Sequence, residues 1–332
     1  MEKSISNMFY CLSHHPEISE KVKKKDRISV FLGYDSEHEW LSNAIKNQGT
    51  DSHFTIHTRN LEESSSNEII EKIKRCDIFV LVYSSSTKKD QQGTVPDFIS
   101  PLKPTMTQHW KKSVLFKDYG KHFTEAFAEH PDNIEKRNNR LIKILGNAEE
   151  ITFEDTWGNR LQGSLDKNQT WTSVSGKGNI DIVPGEIASH VKNLNGEIVF
   201  CGTFLGTIPF ATKYGVSQKL ATLKIQDSRL IQFTSKNASF SQDFRLYLNN
   251  NEGNTVIEEY GIGTNNGVRK LYGRNAGFEE RHPGLHLGLG GGKKGSHHLD
   301  LIFSAGKIFA DEQLIFDNGY DDSTLEWLSG IR

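Results

Sequence analysis

The chain has 332 residues, which is enough for two domains with separate hydrophobic cores. Its 40 basic and 42 acidic residues leave a formal net charge of -2, so the composition gives no bias toward nucleic acid. Three scattered cysteines exclude a disulfide framework and a thiolate zinc site. The sequence has no apolar run of the ~18 residues that a membrane span needs, and no apolar signal core at its start. We therefore expect a cytoplasmic protein without membrane contact.

The first half alternates between apolar strands and amphipathic helices. The polar residues 1–26 predict a partly helical N-terminal extension. The elements predicted after it are a strand at Arg27–Tyr34, a helix at Ser36–Asn47, a strand at His53–His57, a helix at Asn67–Arg75 and a strand at Asp77–Tyr83. This order predicts an α/β domain with a mostly parallel sheet over residues 27–148. No G-x-G-x-x-G or P-loop motif follows the first strand, so we do not expect nucleotide binding.

A long segment rich in serine and proline follows, and it predicts a loop from Ser84 to Met106. Such a loop in a compact domain often forms a lid or a subunit contact. A strand at Lys112–Tyr119 and a helix at His122–Gly146, broken near Pro131, complete the predicted domain.

From residue 149 the pattern changes to short strands with frequent glycine and asparagine. Residues 149–332 therefore predict a β-rich α+β domain. Its predicted elements are strands at Glu150–Asp155, Asn159–Leu165, Gln169–Ser175, Gly196–Gly202, Leu220–Ile225 and Leu230–Thr234, and a helix at Ser239–Asn249.

Acids and imidazoles of this second half lie in short segments separated by glycine, as a strand-and-loop metal site requires. Side chains alternate along a strand, so His298 and Asp300 point to one face and could bind one ion. The carboxylate residue Glu186 follows a Pro-Gly turn, where we expect its backbone to be held and exposed. Glu259 and His286 each lie beside glycines that allow close approach of a ligand. Carboxylate oxygen and neutral imidazole nitrogen are ligands of divalent ions.

A second interpretation of the same region is an anion-binding nest. Six glycines lie between Gly284 and Gly295, and Lys293 and Lys294 would support the binding of an anion.

Four motifs in succession, P-G-E-I, E-Y-G-I-G-T-N, L-H-L-G-L-G and H-H-L-D-L, resemble the aminopeptidase T family of thermophilic metalloaminopeptidases, and its shorter members most. The resemblance covers roughly residues 150–318. It implies a pair of divalent ions (Zn, Co or Mn) in a cleft between the α/β domain and the β-rich domain, in a homodimer. Residue by residue, the metal ligands of the family match Glu186, Glu259, His286, His298 and Asp300.

The activity that the resemblance implies is hydrolysis of a peptide bond at a free N-terminus. Two ions roughly 3.5 to 4 Å apart would share a hydroxide and polarise the scissile carbonyl. Glu186 or Glu259 would bridge the ions or accept the proton of the water, which makes these two the candidate catalytic residues. The chain departs from the family after His286, where residues 291–295 contain no tyrosine.

Two alternatives remain open. The fold is also similar to a dioxygenase group that opens dihydroxypyridine rings with one Fe(II), held by two histidines and one carboxylate. In that group a histidine stands at the position of Glu259, and the position of His286 is not a ligand. The other alternative is a degenerate relative that binds a peptide, such as a leader peptide in a peptide-modification pathway, without catalysis.

Overall fold

The computed structural model describes residues 1–49, 53–85, 96–208 and 210–331. Its contacts divide the chain into two compact units. Unit 1 comprises Met1–Asp132 and Val174–Pro184, and unit 2 comprises Asn133–Ser173 and Gly185–Arg332. The contacts place residues 133–148 in unit 2, so these units do not follow the domain limits expected at residues 26 and 148. Those domain limits stay predictions.

The described part of unit 1 contains a four-stranded sheet made of β1 (Ile28–Tyr34), β2 (Phe54–Asn60), β3 (Ile78–Tyr83) and β4 (Ser113–Lys117). Their order is β2-β1-β3-β4, and all three pairings are parallel. The continuous apolar strand β3 is buried at all of its positions, as expected of a parallel sheet covered on both faces. The predicted α/β architecture is therefore confirmed. Its elements are α1 (Glu2–Ser13), α2 (Ser19–Lys23), β1 (Ile28–Tyr34), α3 (Glu39–Gly49), β2 (Phe54–Asn60), α4 (Ser66–Arg75), β3 (Ile78–Tyr83), α5 (Lys103–Gln108), β4 (Ser113–Lys117) and α6 (Phe123–Ala126).

Helix α1 lies within the residues expected to form a polar extension, but one of its sides is apolar and buried. Ile5, Met8 and Leu12 follow the spacing of one helix face, and each is nearly inaccessible to solvent. The helix therefore packs through this side into unit 1.

The loop prediction for Ser84–Met106 is wrong in its last part. A short 3₁₀ helix covers Ser100–Leu102 and α5 follows directly, while residues 86–95 lie outside the described residues. Pro101 and Pro104 lie in the first turns of these helices, where a missing N–H group breaks no helical hydrogen bond. Proline therefore marks two helix starts here.

Unit 2 is β-rich, as predicted, and its described residues form an eleven-stranded sheet in which the strand pairs with assigned registers are antiparallel. The predicted turn at Asp227 and Ser228 joins two paired strands, and both residues have positive φ. The elements are α7 (Pro131–Asn147), β5 (Ile151–Glu154), β6 (Arg160–Leu165), β7 (Thr172–Val174), β8 (Glu186–Gly206), α8 (Phe210–Tyr214), β9 (Ser217–Gln226), β10 (Arg229–Thr234), α9 (Ala238–Asn250), β11 (Ile257–Gly263), β12 (Gly284–Leu289), β13 (Leu299–Phe303), β14 (Lys307–Ala310), β15 (Gln313–Asp317) and α10 (Asp322–Ser329).

Strand β8 has 21 residues, whereas the sequence predicted a strand only at Gly196–Gly202. Its first residues pair with β11 and its last residues pair with β13. Since β11 pairs with β12 and β12 with β13, these four strands form a closed ring of ladders. Gly202 lies at a register irregularity of β8 and has positive φ, and a Cβ atom there would lie 1.8 Å from the carbonyl oxygen of Ile302, so β13 approaches too closely for a side chain.

The main core of unit 2 packs on the ring and around α9. Phe240 and Phe244 stack at 5.0 Å between ring centroids, and Phe204 lies 5.9 Å from Phe240. Apolar residues of β11, β12 and β13, among them Leu287 and Leu301, belong to the same buried cluster. Because side chains alternate along a strand, the polar residues between them point to the other face.

Candidate metal site

The opposite face of the ring carries the side chains that the sequence selected. Glu259 of β11 pairs with Gly288 of β12, and Gly288 pairs with Asp300 of β13. Directly paired residues of antiparallel strands lie on the same face, so the two carboxylates flank the glycine. One pair further along, His286 pairs with Gly261, and Glu186 of β8 pairs with Gly263.

The glycines of this face make room for the imidazoles. A Cβ atom at position 261 would lie 1.9 Å from His286 Nε2. At position 288 it would lie 2.7 Å from His298 Cε1 and 2.9 Å from Glu259 Cβ. In the motif E-x-G-x-G, Glu259 and Gly261 lie on the same face of β11 because side chains alternate along a strand. Glu259 supplies a carboxylate, and Gly261 leaves space for the ring of His286.

One group of donors surrounds His286. The imidazole is 0% exposed, and its Nε2 lies 3.3 Å from Glu186 Oε1 and 3.4 Å from Glu259 Oε1. Neither ring nitrogen makes a hydrogen bond of normal geometry to any described residue. Ligand atoms of Glu186, Glu280 and His286 lie within 4.8 Å of one another. Glu186 is buried, so the exposed position expected for it after the Pro-Gly turn is wrong.

A second group consists of Glu259, His298 and Asp300, whose ligand atoms also lie within 4.8 Å of one another. His298 Nε2 lies 2.8 Å from Asp300 Oδ1, and its Nδ1 lies 3.3 Å from the carbonyl oxygen of Gly290. A backbone carbonyl at one ring nitrogen orients the other nitrogen toward a metal in many metal sites. The side chain of Asp300 is buried, while those of Glu259 and His298 are 28% and 40% exposed.

Burial and neighbouring charges shift the protonation of these groups in different directions. Burial raises the pKa of Glu186, but the Arg281 guanidinium and His286 outweigh it, and the pKa falls to about 2. The hydrogen bond to Asp300 raises the pKa of His298 to about 9. Burial raises the pKa of Asp300. Without a metal, His298 therefore holds a proton that a cation would release on binding.

The sequence analysis missed Glu280, which belongs to the first group, and Arg281, which contacts that group. Both lie at the end of a 3₁₀ helix, Gly277–Arg281, just before β12. Arg281 Nη1 donates a hydrogen bond to Glu186 Oε2, and it lies 3.8 Å from Glu280 Oε2. Burial, and then the charge of Glu186, raise the pKa of Glu280 well above its ordinary value. The only available signal was the E-E-R run shortly before the histidine motif.

Helix α7 and the loop after β11 hold the strand that carries Glu186. Asn138 Nδ2 donates to the carbonyl oxygen of Glu186 at 3.1 Å, and Thr264 Oγ1 donates to Asn138 Oδ1 at 2.6 Å. Arg137 Nη1 donates to the carbonyl oxygen of Thr264 at 2.7 Å. These buried bonds fix the backbone on which the first donor group is built.

The glycine segment gives little support to the alternative of an anion-binding nest, because several of its donors already have partners. The N–H group of Gly291 donates to Ser296 Oγ at 2.9 Å, and that of Gly290 donates to the carbonyl oxygen of Val256. Lys293 forms an ion pair with Glu252. The N–H groups of Gly290 and Gly291 and the ammonium group of Lys293 are therefore engaged within unit 2.

Unit 1 contains a further group of possible ligands, Asp35, Glu37 and His38, which the sequence did not indicate. Asp35 Oδ2 accepts from the N–H group of Ser84 at 2.7 Å, and Asp35 Oδ1 accepts from the N–H group of His38 at 3.1 Å. Glu37 accepts from the Ser84 hydroxyl at 2.9 Å. These hydrogen bonds join the ends of β1 and β3. They explain why the two acids lie together here without a bound ion.

The residues of unit 2 fit a divalent ion on three observations. Two carboxylates and an imidazole converge in each donor group, the glycines leave space above the strands, and a fully buried histidine has no hydrogen-bond partner among the described residues. Oxygen and imidazole donors suit zinc, manganese, cobalt and iron alike, so the donor chemistry does not select one ion. The acidic and histidine groups of the chain could bind a metal.

Comparison with known proteins finds solved structures of similar fold and one family model that matches part of the chain. The structure is similar to wild-type AmpT, an aminopeptidase T, from Thermus thermophilus, with a TM-score of 0.58, 10% identity, and coverage of 95% of this chain and 98% of that one. It is also similar to 2,5-dihydroxypyridine dioxygenase from Pseudomonas putida KT2440, with a TM-score of 0.57, 13% identity, and coverage of 93% and 96%. At these identities the likeness shows a shared fold.

The model of the family described as crocagin biosynthetic protein CgnE/B matches residues 215–308. This segment begins after Glu186 and so does not include it, but it contains the other residues of the two donor groups and their arginine, namely Glu259, Glu280, Arg281, His286, His298 and Asp300. No curated protein matches the chain. None of the helices in the described ranges combines the length and hydropathy that crossing a bilayer requires. The comparisons thus establish a fold that the chain has in common with an aminopeptidase and a dioxygenase.

Proposed function

We propose that this chain is a metal-dependent hydrolase of the aminopeptidase type, acting on a peptide with a free N-terminus. The observation that carries the proposal is the convergence of Glu259, His298 and Asp300 across a glycine-lined face of the sheet. His286 and Glu186, which the resemblance also matches to metal ligands, lie on the same face. The similarity of fold to an aminopeptidase supports this reading of the donors.

A divalent ion bound by Glu259, His298 and Asp300 would supply Lewis-acid chemistry, which lowers the pKa of a bound water and polarises a carbonyl group. Burial raises the pKa of Glu259, but His286 outweighs it, and the net pKa is lowered. Glu259 is therefore ionised at neutral pH and partly exposed, so it can orient a water and accept its proton. Glu186, buried beside Arg281, stays ionised and orients the imidazole of His286.

The proposal includes zinc as the first ion to try, with cobalt and manganese as alternatives, and it includes a homodimer in the cytoplasm. A position of the site in a cleft between two domains also stays part of the proposal. All the residues named above belong to unit 2.

Turnover of an aminoacyl p-nitroanilide, measured after adding each ion to chelator-treated protein, tests the function. We expect metal-dependent release of p-nitroaniline, abolished in Asp300→Asn and retained in Asp317→Asn, which changes a half-exposed carboxylate on β15. Metal-independent turnover, or equal turnover in the two variants, would refute the assignment of the site.

A second candidate function is a biosynthetic peptide-binding protein without catalysis. The observations that favour it are the partial match to a biosynthetic family and the ion pair between Arg281 and Glu186. Peptide binding by protein that binds no metal would support it. The dioxygenase alternative, with Fe(II) at His286, His298 and Asp300, rests on fold similarity alone. Oxygen uptake with a hydroxylated pyridine would support that alternative.

A further inference from the structure

A permanent cation lies inside one of the two donor groups. The guanidinium of Arg281 is 3% exposed, and it donates a hydrogen bond to Glu186 and lies 3.8 Å from Glu280 Oε2. The backbone of Arg281 is also held, since its carbonyl oxygen accepts from the N–H group of Asn265 at 3.0 Å. The charge is therefore fixed at this place by both side chain and backbone.

This cation competes with any ion that would use the same donors. One oxygen of Glu186 accepts a hydrogen bond from Arg281, and the other lies 3.3 Å from His286 Nε2. A guanidinium stays protonated at every physiological pH, so it cannot make way by losing its charge. A divalent ion between Glu186, Glu280 and His286 would lie a few ångströms from a like charge, in a region with little water to screen the repulsion.

The second donor group differs in this respect. Among the described residues, neither Glu259 nor Asp300 forms an ion pair with lysine or arginine, and their charged neighbours are His286 and His298. Two carboxylates and one imidazole match the charge of one divalent ion. His286 Nε2, 3.4 Å from Glu259, lies at the border of the two groups, and it has no hydrogen-bond partner there among the described residues.

We propose that Arg281 takes the place of a cation beside Glu186, and that the chain consequently binds one divalent ion, at Glu259, His298 and Asp300. This inference rests on the metal binding of the proposed function, and it corrects the pair of ions that the sequence resemblance implied. Glu186 is then a positioning residue that holds Arg281 and the ring of His286.

Metal stoichiometry of the full-length protein tests the inference. Chelator-treated protein is dialysed against Zn²⁺, and bound zinc is measured by elemental analysis. We expect one zinc per chain in the wild type and in Arg281→Lys, which keeps the charge, and two in Arg281→Met, which removes it. Two zinc ions in the wild type would overturn the inference and leave the proposed metal site standing, whereas none would overturn both.

A second measurement does not depend on how well the arginine variants fold. Mn²⁺ bound to the wild type should give the paramagnetic resonance spectrum of an isolated ion, without coupling to a second one. We expect its affinity to change little in Glu186→Gln and to fall by at least about 100-fold in Asp300→Asn, since loss of a direct ligand should cost no less than loss of an outer-shell partner. A coupled spectrum, or a loss confined to Glu186→Gln, would contradict the assignment of the ion to Glu259, His298 and Asp300.

Discussion

Replacing Gly288 by alanine should weaken metal binding while every proposed ligand stays in the chain. The new Cβ atom would lie 2.7 Å from His298 Cε1 and 2.9 Å from Glu259 Cβ, at least about half an ångström closer than ordinary contact. The Glu259 Cβ atom is fixed to a paired strand, whereas the partly exposed His298 ring can rotate away from Asp300. The substitution therefore removes one donor from the group of three.

Both magnitudes follow from this geometry. Overpacking of this kind costs about 1–3 kcal/mol of unfolding free energy, which leaves most domains folded. Loss of an imidazole ligand should weaken zinc binding by about 100-fold or more, which corresponds to about 2.7 kcal/mol. Urea denaturation measures the first quantity, and competition with a chromophoric zinc chelator measures the second.

Gly319→Ala is the matched control, because a Cβ atom at that position would have no heavy atom within 4 Å. We expect this control to keep the stability and the zinc affinity of the wild type. If Gly288→Ala bound zinc as tightly as Gly319→Ala, the ion would not lie beside Gly288 and the reasoning would fail.

Three further predictions concern stability. Burial lowers the pKa of His15 to about 4, so its neutral form stabilises the fold above pH 6.5 and that contribution is lost as the pH falls toward 4. Between pH 7.5 and 5 the loss is about 2 kcal/mol, and urea titrations should show a weaker pH dependence in His15→Gln. Arg137→Met leaves the buried carbonyl of Thr264 without this donor, so the unfolding free energy should fall by about 1–3 kcal/mol; an unchanged urea midpoint would contradict this. Gly261→Ala places a Cβ atom 1.9 Å from His286 Nε2, and a thermal unfolding midpoint equal to that of the wild type would show that the ring is elsewhere.

Features set by local pattern were predictable from the sequence. The continuous apolar runs of β1 and β3 predict strands buried on both faces, and the parallel sheet follows from the helices between them. Two residues with positive φ, Asp227 and Ser228, form the predicted turn between β9 and β10. Strand alternation likewise predicts that His298 and Asp300 share a face, and the two side chains lie 2.8 Å apart.

Features that depend on distant contacts were not predictable in the same way. The first half of β8 contains exposed polar residues such as Lys192 and Asn193, so it shows no apolar run, and its pairing with β6 and β11 makes it a strand. The burial of Glu186 depends on Arg281, which is far from it in the chain. Nothing local to either residue predicts that the two form an ion pair.

The closed ring of β8, β11, β12 and β13 has a consequence for how the apoprotein behaves. Strands β11, β12 and β13 are each hydrogen-bonded on both sides by other strands of the ring. Strand β8 pairs with β11 through its first residues and with β13 through its last, so no member can detach without breaking two ladders. Amide hydrogens of this circle should therefore exchange with solvent only in rare global openings, even after chelation. Such a scaffold holds the proposed ligand residues in place before a metal ion binds. Binding then requires little more than desolvation of the ion and of the ligands, and release of the proton of His298.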